Sequence, residues 1–383
     1  MVHPALESLS EPLLRRLLQE LGRQASVHRF EVAPNPCVGA AILAAGEIVG
    51  RGFHQAWGGP HAEREALAAA ALSGVPASEW DTLVVTLEPC SSTGKTGPCV
   101  QAILEAGIPQ VVVGALDPDP RHRGKGLEEL RAAGVQVHLL EGFSTLEDVA
   151  PHFLSWNAPD RIRRPRPWTI AKWAQTRTGQ LTPPEHVGEG RWITTPASLN
   201  EVQVLRGRVD AIVTGVGTVL ADDPRLTVRP PGDIARAPRR IVLDTALLTP
   251  PDARLFAQPG PGEAGGPVTI MTVAGMDAPR ARALQEAGAE IVGLHAGPFG
   301  HVALRDVYTW LWEAGVRRVM LECGPTLLRR HFDAEFVDQL RIYTGSVNGG
   351  RGPSMADSLQ SIKLRERLDR EQGEDAVLEA FVG

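Results

Sequence analysis

The chain has 383 residues, more than one hydrophobic core usually supports, so two domains are expected. Its composition is that of a globular protein, with 43% hydrophobic and 22% charged residues, and a net charge of −6 gives no reason to expect nucleic acid as a partner. No apolar run is long enough to cross a membrane, and the first residues lack the basic and then apolar pattern of an export signal.

The four cysteines are too few for a disulfide framework in so long a chain. Two of them, Cys90 and Cys99, stand in motifs that suit metal binding by thiolates. A reducing compartment keeps such thiolates available. We therefore expect a cytoplasmic protein without membrane contacts.

The first half alternates between predicted strands and helices. Leucines at helical spacing predict an amphipathic helix over 11–28, and apolar runs at 38–43 and 48–49 predict a β-hairpin. A helix is expected to open at His61-Ala62-Glu63. Further strands are predicted at 83–87 and 111–114, and further helices at 99–106 and 126–133. This alternation is typical of an α/β layer structure with functional residues at strand carboxyl ends.

The most informative motifs are Pro60-His61-Ala62-Glu63, Glu88-Pro89-Cys90 and Gly97-Pro98-Cys99. One imidazole and two thiolates supply three zinc ligands and leave the fourth tetrahedral position for water, as in catalytic zinc sites. Glu63 is two residues beyond the histidine, where nucleobase deaminases have the glutamate that carries protons. The motifs predict zinc-dependent deamination of an aminopyrimidine or aminopurine.

A histidine and two cysteines can also be separate buried residues of a globular chain. Eight residues separate Cys90 from Cys99, where the usual deaminase signature has two, so cysteine spacing alone does not decide. The context favours zinc, because each cysteine follows a proline at an expected turn before a helix and His61 opens another helix.

Residues 151–167 predict an interdomain linker between a domain at 1–150 and a domain at 168–383. Four prolines alternate there with four arginines, without helical or strand periodicity. The arginines could instead form an anion patch, but a solvated linker is the preferred interpretation.

The second half predicts another α/β alternation. Strands are expected at 168–174, 210–214, 240–243, 268–272, 290–294, 317–321 and 337–343, and helices at 196–207, 278–287, 303–314 and 325–331. Residues 256–267 are rich in glycine and proline and predict an exposed loop. The charged tail from Arg365 carries little chemical information.

Both halves together resemble the bifunctional deaminase/reductase family of riboflavin biosynthesis, over nearly the whole chain. The motifs that carry the resemblance are Pro34-Asn35-Pro36, Gly52-Phe53-His54, the zinc motifs, Trp192-Ile193-Thr194, Leu205-Arg206, the segment from Thr218 to Arg229, and Glu322-Cys323-Gly324-Pro325-Thr326. The resemblance implies an α/β chain with an N-terminal cytidine-deaminase-like three-layer domain and a C-terminal dihydrofolate-reductase-like domain.

The resemblance also implies Zn²⁺ and NADPH as cofactors and assigns residues to each site. In the deaminase half it gives His61, Cys90 and Cys99 to zinc, proton transfer to Glu63, and substrate contacts to Asn35, His54 and Lys95. In the reductase half it gives NADPH contacts to Ala174, Trp192, Thr218, Asp222 and Thr245, and substrate contacts to Arg206, Leu226, Arg229 and Glu322. It suggests a homodimer that acts on a small pyrimidine ribosyl phosphate.

Residue chemistry agrees with part of this assignment. Gly324-Pro325-Thr326 places a glycine before a helix that starts with proline, so free N–H groups could receive the cofactor pyrophosphate, although many helices begin this way. The guanidinium groups of Arg206 and Arg229 are suited to bidentate hydrogen bonds with a ribose phosphate. Lys172 is the cation we nominate to assist reduction, and a lysine that faces solvent is the competing interpretation. For Lys95 the competing interpretation is an ordinary surface lysine.

Several positions depart from the family pattern. Thr178 stands where the family has an aspartate, and Gly190 where it has a substrate-contacting serine. Ala33, Ser92 and Thr93 replace histidines near the zinc motifs. Besides a bifunctional enzyme, the sequence therefore allows a paralogue with an impaired or re-purposed reductase, or a second domain that only binds nucleotide or dimerises.

Overall fold

The computed structural model describes residues 10–92, 97–140, 146–185, 193–235, 237–275, 277–355 and 359–383. The chain divides into two compact units, Met1–Arg164 and Pro165–Gly383. Each unit has its own main sheet and its own hydrophobic clusters. Within the described ranges, no helix is long and apolar enough to cross a membrane.

The first unit is built on a five-stranded sheet. Its strands are β1 Gly39–Ala44, β2 Glu47–Phe53, β3 Thr82–Val85, β4 Gln110–Val113 and β5 Gln136–Leu139. Its helices are α1 Glu11–Ala25, α2 Arg29–Val32, α3 Ala62–Ala71, α4 Cys99–Glu105, α5 Lys125–Ala132, α6 Leu146–Val149, α7 Pro151–Trp156 and α8 Pro159–Arg163. The strand order is β2-β1-β3-β4-β5, with β1 antiparallel to β2 and β3, and with β3, β4 and β5 parallel. The predicted hairpin is confirmed as β1–β2.

Alternate residues of the central strands face two different cores. Ala41 and Leu43 pack with Leu18 of α1, on the leucine stripe that the sequence placed in the core. Ala40 and Ile42 face the opposite core, which is covered by α3, α4 and α5. Because helices cover both faces of the sheet, this unit has three layers.

Helix α3 packs closely on strand β2 because two glycines of that strand lack a side chain. A Cβ atom at Gly52 would lie 2.1 Å from the backbone nitrogen of Ala66, and one at Gly50 would lie 2.5 Å from the Ala66 carbonyl oxygen. This close approach fixes the first turn of α3, where His61 and Glu63 lie.

The segment 151–167 differs from the linker that the sequence predicted, because it contains α7 and α8. Each helix has proline at its start, where the missing N–H would have no intrahelical partner, so the proline begins a helix. Two of the arginines also have protein partners. Arg161 stacks on Trp156 at 4.6 Å, and Arg166 pairs with Asp338 at 2.8 Å.

The second unit is built on a nine-stranded sheet. The strands of this sheet are β6 Trp168–Gln175, β8 Ala211–Gly215, β9 Arg239–Leu243, β10 Val268–Val273, β11 Ala289–Leu294, β12 Arg318–Leu321, β13 Gln339–Thr344, β15 Leu364–Gln372 and β16 Asp375–Val382. A separate ribbon pairs β7 Gln180–Thr182 with β14 Arg351–Ser354. The helices are α9 Pro196–Arg206, α10 Val216–Asp222, α11 Ala278–Glu286, α12 Leu304–Glu313 and α13 Pro325–Asp333.

The strand order of this sheet is β11-β10-β9-β8-β12-β6-β13-β16-β15. The strands from β11 to β13 in this order are parallel, and β16 runs antiparallel to both β13 and β15. All the strands and helices predicted for this half are present within a few residues of their expected bounds. The carboxyl ends of β9, β8, β12 and β6 lie side by side, which is where such sheets bind ligands.

The charged tail is a structural part of this unit, although the sequence analysis gave it little weight. It forms the hairpin β15–β16, and Glu379 of β16 pairs with the buried Arg341 of β13. Asp375 accepts hydrogen bonds from the backbone N–H of Thr195 at 2.8 Å, its hydroxyl at 2.7 Å and the Ser198 hydroxyl at 2.6 Å. The tail therefore caps the start of α9.

Candidate active sites

The three predicted zinc ligands lie together in the first unit. His61 Nδ1 is 3.3 Å from Cys99 Sγ and 3.5 Å from Cys90 Sγ, and the three ligand atoms lie within 4.8 Å of one another. In a tetrahedral zinc site with ordinary bond lengths, nitrogen and sulfur ligands are about 3.6 Å apart. The cluster therefore fits a zinc ion, and it is the one such group of three among the described residues.

Three different elements bring these ligands together. His61 is the N-cap residue of α3, and Cys99 is the first residue of α4. Cys90 lies in the loop that follows β3, and its sulfur is 3.4 Å from the backbone nitrogen of Cys99. The expected helix start is therefore found at Cys99 and at His61, but not directly after Cys90.

Glu63 lies in the first turn of α3 and is 3% exposed. Burial raises the pKa of Glu63 above its ordinary value, and the nearby His61 opposes this only in part. The carboxyl group is not a member of the three-ligand cluster, but Cys99 is one of its neighbours. This position suits a group that moves protons at the zinc site.

Two predicted substrate residues, Asn35 and His54, lie beside this cluster. The ring of His54 packs edge-on against that of His61, with 5.3 Å between the centroids. Asn35 Nδ2 is 3.1 Å from His54 Nε2, and His54 Nδ1 is 2.9 Å from the Pro60 carbonyl oxygen. Lys95, the third predicted substrate residue, is outside the described residues, as is Thr93.

Glu88 is a buried residue two positions before Cys90, and the sequence motif alone predicted no role for it. Its carboxylate accepts hydrogen bonds from the backbone N–H groups of Asp117 at 3.1 Å, Gly124 at 2.9 Å and Gly126 at 2.9 Å. A Cβ at Gly126 would lie 2.0 Å from the Pro89 carbonyl oxygen, so the first turn of α5 packs directly on the residue before Cys90. Glu88 thus fixes the backbone at Asp117, Gly124 and Gly126, and Gly126 packs beside Cys90, a proposed zinc ligand.

In the second unit, the predicted cofactor residues lie at the carboxyl ends of neighbouring parallel strands. Ala174 is in β6, Thr218 follows β8, Thr245 follows β9 and Gly324 follows β12. The Gly324 N–H donates to Thr218 Oγ1 at 3.2 Å. Sheets of this kind bind dinucleotides at this edge, so the positions fit NADPH.

The predicted helix start at Gly324-Pro325-Thr326 is confirmed, because Gly324 is the N-cap of α13 and Pro325 is its first residue. N–H groups of a first turn have no intrahelical partner, which suits a phosphate. Asp222 is the exposed last residue of α10. Trp192 lies outside the residues that the structure describes.

Lys172, Arg206 and Glu322 form one buried ionic cluster. Arg206 Nε and Nη2 lie 2.7 Å and 3.0 Å from the two Glu322 oxygens, and Lys172 Nζ lies 3.6 Å from Glu322 Oε2. Burial would raise the pKa of Glu322, but the two cations outweigh it and hold that pKa at about 2. Burial lowers the pKa of Lys172. The side chain of Lys172 is 14% exposed and lies against Glu322, so it does not face solvent.

Leu226 and Arg229 lie on a segment in an unusual conformation. Leu226 is buried and has φ = +52°, a left-handed conformation that is rare for leucine. Arg206 Nη1 donates to the Thr227 carbonyl at 2.8 Å, so all three guanidinium nitrogens of Arg206 have protein partners. Arg206 is therefore less available to bind a phosphate than the sequence predicted. Arg229 is more open, with its side chain 44% exposed and 3.7 Å from Glu263.

The hydroxyl of Thr178 has a structural partner in the second unit. It accepts from the N–H of Gly349 at 2.8 Å and donates to Gln180. This links the turn after β6 to the segment between β13 and β14. Gly190, the other departure in this half, is outside the described residues.

Two protein-family models match the chain. The cytidine and deoxycytidylate deaminase zinc-binding region matches residues 15–115, and the RibD C-terminal domain matches residues 167–378. The second match spans most of the second unit, which does not favour a paralogue with an impaired or re-purposed reductase, or a second domain that only binds nucleotide or dimerises. It also confirms the predicted dihydrofolate-reductase-like fold.

Known proteins resemble the chain over nearly its whole length. The riboflavin biosynthesis protein RibD of Aquifex aeolicus is 34% identical, over 90% of this chain and 92% of its own length. The structure of Acinetobacter baumannii RibD superposes with a TM-score of 0.66 at 26% identity, over 96% of this chain and 99% of that one.

The structure of a diaminohydroxyphosphoribosylaminopyrimidine deaminase/5-amino-6-(5-phosphoribosylamino)uracil reductase from Thermotoga maritima superposes with a TM-score of 0.64 at 26% identity. It covers 96% of this chain and 99% of its own. Each family model thus matches one of the two units, and each unit contains residues that suit the chemistry of its family model. The chain therefore belongs to the RibD family of riboflavin biosynthesis enzymes and carries a zinc-dependent deaminase domain and an NADPH-dependent reductase domain.

Proposed function

We propose that this enzyme deaminates a diaminohydroxy-phosphoribosylaminopyrimidine and then uses NADPH to reduce the ribosyl group of the product to a ribityl group. The substrate class is taken from the name of the Thermotoga maritima protein. The observation that carries the proposal is the cluster of His61, Cys90 and Cys99, with buried Glu63 beside it. The net charge of −6 gives no reason to expect a nucleic-acid substrate instead.

His61, Cys90 and Cys99 would hold the zinc ion. When bound, zinc lowers the pKa of a water molecule towards neutrality. Glu63 takes a proton from the attacking water and delivers it to the departing amino group. A carbon–oxygen bond forms at the ring carbon, the carbon–nitrogen bond breaks, and ammonia leaves.

Asn35 and His54 would orient the pyrimidine ring, and Lys95 would contact the substrate phosphate. The first two are supported by their geometry, because His54 packs on the ligand His61 and Asn35 bonds to His54. The role of Lys95 rests on the family motif and on its charge.

In the second unit, residues near the carboxyl ends of the parallel strands would hold NADPH, which would supply a hydride for the reduction. The residues that we assign to it are Ala174, Trp192, Thr218, Asp222, Thr245, Gly324, Pro325 and Thr326. The carbon of the opened ribose ring would be reduced, the electron pair of its double bond would move to the neighbouring atom, and that atom would then need a proton. Lys172 is suited to give this proton, because burial lowers its pKa while Glu322 holds its ammonium group in place.

Arg206, Leu226, Arg229 and Glu322 would form the substrate side of the reductase site. Arg229 is the more open cation and suits a phosphate group. Arg206 acts mainly by holding Glu322 and the Thr227 carbonyl. Replacing Arg229 by alanine should therefore raise KM for the pyrimidine more than for NADPH.

We also propose that the enzyme is a cytoplasmic homodimer. None of the described cysteines forms a disulfide bond, and two of them belong to a site that needs thiolates. Light scattering measures the mass in solution, and a mass of one chain at working concentration would contradict the dimer.

Metal analysis with two serine variants tests the deaminase proposal. Purified enzyme should contain about one zinc per chain, and Cys90→Ser should lose both zinc and ammonia release, because it removes one of three ligands. Cys37→Ser changes a buried cysteine outside the cluster and should keep the metal. Full zinc in Cys90→Ser would refute the ligand assignment.

A further inference from the structure

Asn35 is held by three hydrogen bonds. Its N–H donates to the Val32 carbonyl at 3.0 Å, and its side-chain nitrogen lies 3.1 Å from His54 Nε2. Its own carbonyl oxygen lies 3.0 Å from Nε2 of His152. Val32 and His54 belong to the same part of the chain, but His152 comes from α7, 117 residues further on.

The hydrogen positions along these bonds follow from the atoms that face each other. The Pro60 carbonyl can only accept, so His54 Nδ1 carries a hydrogen and, in the neutral ring, Nε2 accepts. Asn35 must therefore turn its NH₂ group towards His54. Its Oδ1 is on the other side of the planar amide and is available to accept an N–H from an aminopyrimidine.

His152 is built to hold the backbone of this residue. Its side chain is 5% exposed, and burial lowers its pKa to about 4, so the ring is neutral near pH 7 and has a single N–H. That N–H is at Nε2, because Nε2 faces a carbonyl. Its neighbours Ala150 and Phe153 pack in the core of the first unit, so the donor is fixed in place.

We propose that His152 is a positioning residue for deamination. Its hydrogen bond to the Asn35 carbonyl fixes the turn from which the Asn35 amide reaches His54 and the substrate beside the zinc ligand His61. The inference rests on the proposed role of Asn35 in binding substrate. The deaminase zinc-binding model ends at residue 115, so that match does not include His152.

Two variants separate this role from simple packing. His152→Leu removes the donor and keeps an apolar side chain, whereas His152→Gln keeps an N–H donor. We expect KM for ammonia release to rise roughly tenfold in His152→Leu, which corresponds to about 1.4 kcal/mol, with kcat and zinc content little changed. His152→Gln should bring KM back towards the wild-type value.

His331 provides a matched control in the other unit. It is also fully buried and bonds to a backbone carbonyl, with Nδ1 2.8 Å from the Leu327 oxygen. His331→Leu therefore deletes a similar bond in the unit that does not contain the deaminase residues, and it should leave the KM of deamination unchanged.

An unchanged KM in His152→Leu would overturn the inference. A higher KM together with an equal fall in kcat and in zinc content, none of which His152→Gln restores, would also overturn it. That pattern would indicate that His152 contributes only to packing. Titration with the deaminated pyrimidine gives a second readout. If the wild type binds this compound but releases no ammonia from the substrate, the proposed function fails, while the affinity ratio of the His152 variants still decides the inference.

Discussion

Buried acidic side chains organise both active sites, and each has partners that explain its burial. Glu88 accepts three backbone N–H groups, which leaves its carboxylate fully engaged in structure. Glu322 lies between Arg206 and Lys172. Glu63 differs from both, because its neighbours are the three proposed zinc ligands and burial raises its pKa. These differences predict different effects when each acid is changed.

Glu63→Gln should keep zinc and lose deamination by roughly 10²–10⁴-fold, because it removes a proton carrier and leaves the ligands. Ammonia release and zinc content measure the two effects. Glu65→Gln changes an acid in the same first turn of α3 and should remain active. Near-normal ammonia release from Glu63→Gln would show that the proton follows another route.

Thr178→Val should reduce NADPH-dependent turnover roughly three- to tenfold, as expected for the loss of one hydrogen bond, because Gly349 N–H loses its acceptor. Deamination should not change. Thr178→Ser keeps a hydroxyl and should retain most of the activity. Thr178→Asp restores the acid of the family pattern, and we expect little gain from it, since the wild-type hydroxyl already holds this turn. A large gain would mean that the threonine impairs reduction.

At the scale of elements, the sequence predicts the helices and strands whose apolar residues follow one clear periodicity or form a short continuous run. The leucine stripe of α1, the apolar strand β4 and the proline-started helix α13 are examples. Helices α7 and α8 were missed because their prolines and arginines resemble a linker. Strand β16 was missed because its buried Glu379 is stabilised by Arg341, a partner far away in the sequence.

Partners that are distant in the sequence also limit how much of each active site can be predicted. The grouping of His61, Cys90 and Cys99 was predictable because a catalytic zinc requires a few residue types in a fixed order, and the motifs supply them. Glu88 and His152 were not, because their partners are backbone atoms 29 to 38 and 117 residues away. Such contacts leave no pattern in a single sequence.

Asp375→Ala tests whether the tail hairpin supports the reductase site. It removes the acceptor for the Thr195 N–H at the start of α9, so the second unit should lose about 0.5–2 kcal/mol of stability. Because Arg206 ends the same helix, NADPH-dependent reduction should fall while ammonia release is unchanged. Glu374→Ala changes the exposed neighbouring residue and serves as the control. Equal behaviour of the two variants would argue against a cap.

At the scale of the whole molecule, each compact unit contains the residues proposed for one of the two reactions, deamination in the first unit and reduction in the second. The three proposed zinc ligands belong to the first unit, and Lys172, Arg206 and Glu322 belong to the second. Removal of zinc by a chelator should therefore stop ammonia release without stopping NADPH oxidation when the deaminated pyrimidine is supplied. Loss of both activities on chelation, with recovery of both on adding zinc, would contradict this separation.

The two reactions should also follow one another on a single chain. The direct measurement supplies purified enzyme with the diaminohydroxy-phosphoribosylaminopyrimidine and NADPH, and follows ammonia and NADPH in the same sample. We predict that ammonia appears first, that NADPH is consumed after it in equal amount, and that the final product carries a ribityl group. Ammonia release without NADPH consumption or ribityl product, or no ammonia from the zinc-loaded enzyme, would contradict the bifunctional assignment.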